Sequence, residues 1–332
     1  MPTISFLSRG FRLQAAPTGA DSRLGGRPVE PDLAKSGACM PESHSCRSAW
    51  AAFGSMQEPA LGAGMSLVDL AAACLRRWPA TMGKHHGIRL VSSYVRPHEV
   101  VARTTDGFLM RLDTSDFIQR SIYLSGTWDD DVGRFVRQIA AGGLFVDCGA
   151  NVGYFSLLAA SRGASVVAFE PNPRCASAIE ANARLNGFNA IDVRRLGLSS
   201  EAGRSVLHVE DPCNVGGGSL KSAGQEVGTI ELDTLDAQLA GAMPSLIKID
   251  VEGAEVMVLR GAEKTLSPAN APPVLCEVSE FSLRQLGSSK EELFELMKRY
   301  GYVAKIISPV RRSVASSDSV FFQYDALFTK QR

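Results

Sequence analysis

Two short stretches concentrate the residues with chemical potential. Residues 145–160, FVDCGANVGYFSLLAA, run from apolar chain into an acid, Asp147, and then through Gly149, Asn151 and Gly153 into an apolar helix. Small residues at a helix start let the backbone approach a ligand and offer it N–H donors. Dinucleotide turns carry GxGxxG. Here Asn151 takes the second glycine position and Tyr154 the third, and no Walker-type lysine follows. The turn is a poor pyrophosphate cradle, and the ligand it predicts is a nucleoside with little or no phosphate. Glu170, followed by Pro171, ends the next apolar run, 21 residues beyond Gly149. A carboxylate at this distance can accept hydrogen bonds from both ribose hydroxyls, whereas alone it would read as a solvated strand-end acid. Asp147 has two readings: a partner for an amino group of the ligand, direct or through water, or a clamp on the turn.

The second stretch is IKIDVEG, residues 247–253. A central parallel strand is normally apolar almost throughout. Period-2 alternation puts Ile247, Ile249 and Val251 on one face and Lys248, Asp250 and Glu252 on the other. Buried charges need partners. If this is the fourth strand of a doubly wound sheet, it lies between the first and the fifth. Lys248 is then placed to pair with Asp147 or Glu277 in a structural ion network, or to face the substrate. Asp250 and Glu252, nearer the carboxyl end, are candidates for substrate or cofactor contact.

These residues must be positioned by their elements. From residue 144 onward strand and helix alternate. LFVDCG is a strand, 154–162 a helix ended by Gly163, SVVAFEP a strand, and 173–185 a helix with Pro at its start and Asn186-Gly187 at its end. AIDVRRLGLS reads as a third strand, SLIKIDVEG as the fourth followed by a helix over 254–266, and PPVLCEVS as the fifth. Ser288 or Ser289 caps a helix running to Tyr300, and VAKIIS and SVFFQYDALF complete the sheet. Such alternation predicts an α/β, doubly wound, mostly parallel sheet with right-handed crossovers and ligands beyond the strand carboxyl ends. SVLHVED and GTIELDTL read as an inserted antiparallel pair joined by NVGGGSL. In that polar segment Asn214, Gly216, Gly217 and Ser219 form either a plain hairpin turn or a lid over the cleft. Upstream, 88–112 read as short strands turning at Asp106-Gly107. Residues 113–143 read as two helices broken at Gly126. Residues 1–64 are rich in Gly, Pro, Ser and Ala without period and are expected to be disordered; a helix opens at Met65. The expected organisation is an extension over 1–64, a helical and strand cap over 65–143 and a catalytic domain over 144–332.

The blocks FVDCGANVGYFSLLAA, VVAFEPNPRCASAIEANARLNG and LIKIDVEGAEVMVLRGAEKTL, in this order, resemble the FkbM family of methyltransferases, and NVGGGSL resembles its middle insertion. The resemblance covers about residues 114–283 and leaves 1–64 without a counterpart; Cys148 stands where an aliphatic or small residue is usual. It implies the class I methyltransferase fold, Rossmann-like with an antiparallel C-terminal strand. It also implies S-adenosylmethionine as cofactor and usually O-methylation, often of sugars or natural products. Asp147, Gly149, Asn151, Gly153, Glu170 and Pro171 then form the expected cofactor set, and Asn214, Ser219 and Lys248 the expected substrate set. A sulfonium methyl is already activated, so the protein mainly aligns the reacting atoms. A hydroxyl acceptor must also lose a proton, which makes Asp250, Glu252 and Glu277 the candidate catalytic bases. The histidines offer little, although His208 in the insertion could reach a substrate. Asp250 and Glu252 with a third acid could hold a divalent metal, but no ligand triad stands at short spacing, and none is assigned.

Composition narrows the classes further. Lys plus Arg and Asp plus Glu are both 35 in 332 residues, so no overall basic field points to nucleic acid. The odd cysteine count, 7, without CxxC spacing argues against a disulfide framework or zinc knuckle and for a reducing, cytoplasmic setting. No apolar run reaches membrane-spanning length. The expected partner is a small-molecule or glycan acceptor. Competing readings are a nicotinamide-dependent oxidoreductase, disfavoured by Asn151 and Tyr154, and a catalytically inactive nucleoside-binding protein, disfavoured by the intact Gly149, Gly153 and Glu170 set.

Overall fold

Apolar residues at alternate positions of the central strands enter opposite sides of one sheet. Phe145, Leu246 and Leu275 join one hydrophobic cluster, and Val146, Ile247, Val274 and Cys276 join the other. The computed structural model describes residues 67–78, 84–139, 141–209, 217–220, 224–314 and 320–331. The extension expected over 1–64 lies outside them.

Among the described residues the chain begins with α1 (Leu67–Arg77), α2 (Lys84–Ser92), the hairpin β1 (Glu99–Arg103) and β2 (Leu109–Asp113), α3 (Phe117–Ser125) and α4 (Asp130–Val136). The alternating part follows as β3 (Leu144–Cys148), α5 (Tyr154–Ser161), β4 (Ser165–Phe169), α6 (Pro173–Asn186) and β5 (Ile191–Arg194). Next come β6 (Gly197–Leu198), β7 (Gly203–Val209), β8 (Gly218–Ser219), β9 (Gln225–Asp233) and α7 (Leu235–Leu239). The chain then returns through β10 (Leu246–Ile249), α8 (Glu255–Arg260), α9 (Glu263–Leu266), β11 (Val274–Ser279), α10 (Glu280–Gln285) and α11 (Lys290–Arg299). It closes with β12 (Tyr302–Ile306), β13 (Arg311–Val314) and β14 (Val320–Lys330).

The main sheet has eight strands in the order β12-β14-β11-β10-β3-β4-β5, with β13 pairing to β14. β5, β4, β3, β10 and β11 are parallel, and β14 runs antiparallel between β11 and β12. This is the expected doubly wound α/β sheet, and β10 does lie between β3 and β11. The inserted pair is β7 and β9, which with β6 and β8 make a second sheet of four strands.

Three local expectations change. Residues 88–92 are helical, inside α2, so the short strands begin only at Glu99. The run after β5 divides, and Gly197–Leu198 leaves the main sheet for β9. The helix expected over 254–266 breaks into α8 and α9 at Gly261, which packs so closely that a Cβ there would lie 2.1 Å from Ser199 O.

α5 is buried around most of its circumference. A helix apolar on all sides needs cover on both faces, and here the sheet lies on one face and the cap elements on the other. The cap is fastened to α6 by side-chain amides that imitate a neighbouring strand. Asn186 accepts from Leu109 N–H and donates to Leu109 O, both at 2.7 Å, and Asn182 accepts from Arg111 N–H at 2.7 Å. Four residues of helix and two of strand both span about 6 Å, so the two asparagines match alternate β2 residues. Asn182 is buried. Asn182→Ala should cost about 1–3 kcal/mol in a urea titration, because it strands the Arg111 amide. A loss below about 0.5 kcal/mol would show that water replaces the asparagine.

Candidate active site

The C-terminal ends of β3, β4, β10 and β11 open onto one cleft of about 240 Å³. Its floor is the β3–α5 turn, residues 149–152, with Tyr154 and Phe155. Phe117, Ile118 and Trp128 enter from the cap, Leu207, Leu220, Ile230 and Leu232 from the inserted sheet, and Arg311 and Gln323 from the C-terminal hairpin.

Glu170 stands at the end of β4, 5% exposed, and lines this cleft with Pro171. Its Oε2 accepts the Asn151 N–H and its Oε1 the Asn172 N–H, both at 2.8 Å. Each oxygen keeps a further acceptor site. Burial pushes the carboxyl up to about 7, against the two amide bonds that lower it. Asn151 reaches Glu170 because its backbone is left-handed, at φ 52, a conformation asparagine tolerates.

Gly149 lines the cleft, and both glycines also answer to close packing. A Cβ on Gly149 would lie 1.8 Å from Asp250 O, and one on Gly153 2.9 Å from the Ile179 side chain. Both glycines make room for neighbouring chain: Gly149 lets the β3 and β10 loops touch, and Gly153 seats the turn on α6.

Asp147 is fully buried and is not among the cleft-lining residues. Its Oδ2 accepts from Ser156 Oγ at 2.7 Å, and its Oδ1 lies 3.5 Å from Lys248 Nζ. Burial raises its pKa. Of its two readings, these contacts are those of a clamp between β3, α5 and β10. Lys248 is buried too, with Nζ 3.2 Å from Asp250 Oδ2, a bond to Gly149 O at 3.3 Å, and the Phe155 ring beneath it. Burial works against its charge, but Asp250 and Asp147 outweigh it and hold the ammonium above its usual pKa. Its carboxylate partners are therefore Asp147 and Asp250; of the two acids expected to pair with it, Asp147 does so and Glu277 makes no ion pair with it.

Alternation along IKIDVEG stops early. β10 ends at Ile249, and Glu252 sits in a tight turn at φ 52, a costly backbone for a residue other than Gly or Asn. Asp250, Glu252 and Glu277 nevertheless all line the cleft. Glu277 Oε1 accepts from Gln323 Nε2 at 2.6 Å, and burial with Asp250 and Glu252 nearby raises its pKa well above the usual range. Beyond Asp250 a smaller recess is lined by Trp128, Asp129, Lys248, Glu277, Arg311 and Asp325. Burial, followed by Asp129, pushes the Asp325 carboxyl up to about 6.

Ser219 is buried in β8, where its Oγ donates to Glu252 O at 3.2 Å. Asn214 lies outside the described residues. His208 pairs with Ser219 across β7 and β8 and is not among the cleft-lining residues. Among the described residues no three or more His, Cys, Asp or Glu are grouped to hold a metal.

Sequence reading missed several participants. Glu255 is fully buried at the start of α8, and its Oε1 accepts from Val251 and Gly253 N–H at 3.2 and 3.0 Å. An acid opening an otherwise apolar helix was the available signal. Tyr154 lines the cleft while its hydroxyl bonds Asp106 at 3.2 Å, and Arg137 grips the same carboxylate through both oxygens at 2.7 and 2.8 Å. This network ties the β1–β2 hairpin and the end of α4 to the start of α5. Trp128, Arg311 and Gln323 carry no local sign of the cleft they reach.

Residues 147–304 match the family model described as the methyltransferase FkbM domain. Methyltransferase 1 of Beauveria bassiana is 27% identical over 177 residues, 45% of this chain and 67% of that protein. Hexuronic acid methyltransferase AglP of Haloferax volcanii is 30% identical over 125 residues, 37% of this chain and 52% of that protein. Among solved structures, Trm5b of Pyrococcus abyssi matches with a TM-score of 0.41 at 15% identity, over 71% of this chain and 57% of that one. Among the described residues no helix is long and apolar enough to cross a membrane.

Proposed function

We propose that this chain, which carries a methyltransferase FkbM domain over residues 147–304, is an S-adenosylmethionine-dependent enzyme that methylates a hydroxyl of a sugar or natural-product-like acceptor. One observation carries the reading. The cleft that holds Glu170 at the end of β4 also holds Asp250, Glu252 and Glu277 at the ends of β10 and β11, so the carboxylate proposed for the nucleoside and three candidate bases share one cavity.

The residues present suit this cofactor. Glu170 keeps an acceptor site on each oxygen for the ribose hydroxyls, and Leu196, Leu198 and Pro171 give the cleft an apolar wall for a base. The acids near Asp250 favour a sulfonium cation. When bound, S-adenosylmethionine supplies an activated methyl group. The chain's own residues then have three tasks. Glu170 and the 149–152 turn would hold the nucleoside, Trp128 and the cap would restrict water, and Asp250 would take the proton that the acceptor's hydroxyl loses. Lys248, 3.2 Å from Asp250, steadies that carboxylate. Glu252 and Glu277 stand as alternative bases or as hydrogen-bond partners for other acceptor hydroxyls. The name of the Haloferax relative supports a sugar acceptor.

The test has two stages. Calorimetry with S-adenosylmethionine should show saturable binding. Incubation with a panel of glycans and polyketides should then give a product heavier by one methylene. Absence of cofactor binding by the folded protein would reject the reading, and methyl transfer to nitrogen or carbon acceptors alone would reject its hydroxyl part.

A further inference from the structure

The turn after β10 is built at conformational expense. Glu252 is left-handed, and Gly253, at φ 106, lies so close to α10 that a Cβ would stand 2.4 Å from Ser282 O. A turn with no further task would place glycine or asparagine at 252. A glutamate held there against its backbone preference marks a side chain whose position matters.

What opposes the strain is visible next door. The N-cap of α8, Ala254, makes no side-chain cap. Instead the Glu255 side chain folds back past the helix start, and its Oε1 accepts the N–H groups of Val251 and Gly253, the residues on either side of Glu252. The carboxylate is fully buried, and its Oε2 has no hydrogen-bond partner among the described residues. An ordinary core position would not hold a carboxylate on such terms, because burying it is costly.

We propose that Glu255 is a positioning residue: its buried carboxylate bridges the amides of Val251 and Gly253 and so holds Glu252 in the left-handed conformation in which it lines the cleft. The inference rests on the proposed function only in taking Glu252 to meet the acceptor. The bridge itself can be read without any acceptor.

Hydrogen exchange and thermal unfolding test the bridge. In Glu255→Ala the amides of Val251 and Gly253 should exchange about tenfold faster or more, while those of β3 and β11 keep their protection. In Glu255→Gln, whose amide oxygen can still accept, both should stay within about threefold of wild type. If Glu255→Ala does not fold, the Gln variant alone still decides, since exposure of the two amides there would overturn the bridge. Glu252→Gly relieves the strain, so Glu255→Ala should lower the melting temperature less in that background than alone. Additive losses would overturn the coupling. On an acceptor that the wild type methylates, Glu255→Ala should lose about tenfold or more in kcat with unchanged S-adenosylmethionine affinity, and Glu255→Gln should recover most of it. Loss of the bridge without loss of kcat would overturn the positioning role and leave the bridge as architecture. Failure of the wild type to methylate any acceptor would count against the proposed function and leave the exchange result standing.

Discussion

Glu170→Ala should weaken S-adenosylmethionine binding by well over tenfold in calorimetry, about 2–4 kcal/mol, because it removes a charged acceptor of two ribose bonds. The loss should leave a folded protein, since among the described residues only the Asn151 and Asn172 amides give up a protein partner. Affinity within about threefold of wild type in a folded variant would refute the assignment. Acid should weaken the same contact in the wild type. The carboxyl is pushed up to about 7 from 4.5, chiefly by burial. Its ionised form is the one that accepts both hydroxyls, so affinity should fall as pH drops through about 7. Folding stability follows the opposite sign. A carboxyl whose folded pKa is raised binds its proton more tightly when folded, so its penalty is fully expressed above about 7 and is relieved as pH falls toward 4.5. Glu170→Gln should remove both trends. A pH profile of affinity that is the same in wild type and Glu170→Gln would assign the titration to another group.

Asp250→Asn should lower single-turnover methyl transfer by about 10²–10⁴, the usual cost of losing a general base. It keeps the side chain's shape and a contact with Lys248 while removing its capacity to hold a proton. Cofactor affinity should change far less, because the nucleoside contacts lie on the β3 and β4 loops. Both quantities should be measured on the same preparation. A rate within a few-fold of wild type would transfer the role to Glu252 or Glu277. Equal loss of rate and of cofactor binding would make Asp250 part of the cofactor site or of the fold. Glu277→Gln is the informative companion. Burial raises its pKa well above the usual range, and a strong rate loss there with Asp250→Asn near wild type would give Glu277 the catalytic contact.

The β3–α5–β4–α6 unit was legible in the sequence because everything that builds it is local. Apolar runs carry the strand period, Pro173 and Gly187 bound α6, and Asn172 caps it through its own side chain. The spacing from Gly149 to Glu170 follows from one turn, one helix and one strand, so the sequence alone places Glu170 at the strand ends. The place of β10 between β3 and β11 followed as well, from the strand order that a doubly wound sheet of this kind implies.

Other features depended on residues far apart in the chain. Gly149 is required by the carbonyl of Asp250, a hundred positions on, and the sequence around it reads as a ligand turn. Lys248 could have met either neighbouring acid, and the register of β10 on β3 brings its ammonium to Asp147 and, beyond the strand end, to Asp250. The charges at 250 and 252 looked like one face of a strand. In the structure they sit in a turn, where Glu255 accepts the Val251 and Gly253 N–H groups and Gly253 packs against the Ser282 backbone. Arg311 and Gln323 reach the cleft only because β14 inserts antiparallel between β11 and β12. Sequence alone therefore determined the elements, their order and the place of Glu170 and the 149–152 turn at the cleft, where period, caps and turn chemistry act between near neighbours. The tertiary structure decided which charges pair, which glycines are obligatory and which acids line the cleft, because burial and close approach are set by groups that meet only when the whole sheet is assembled.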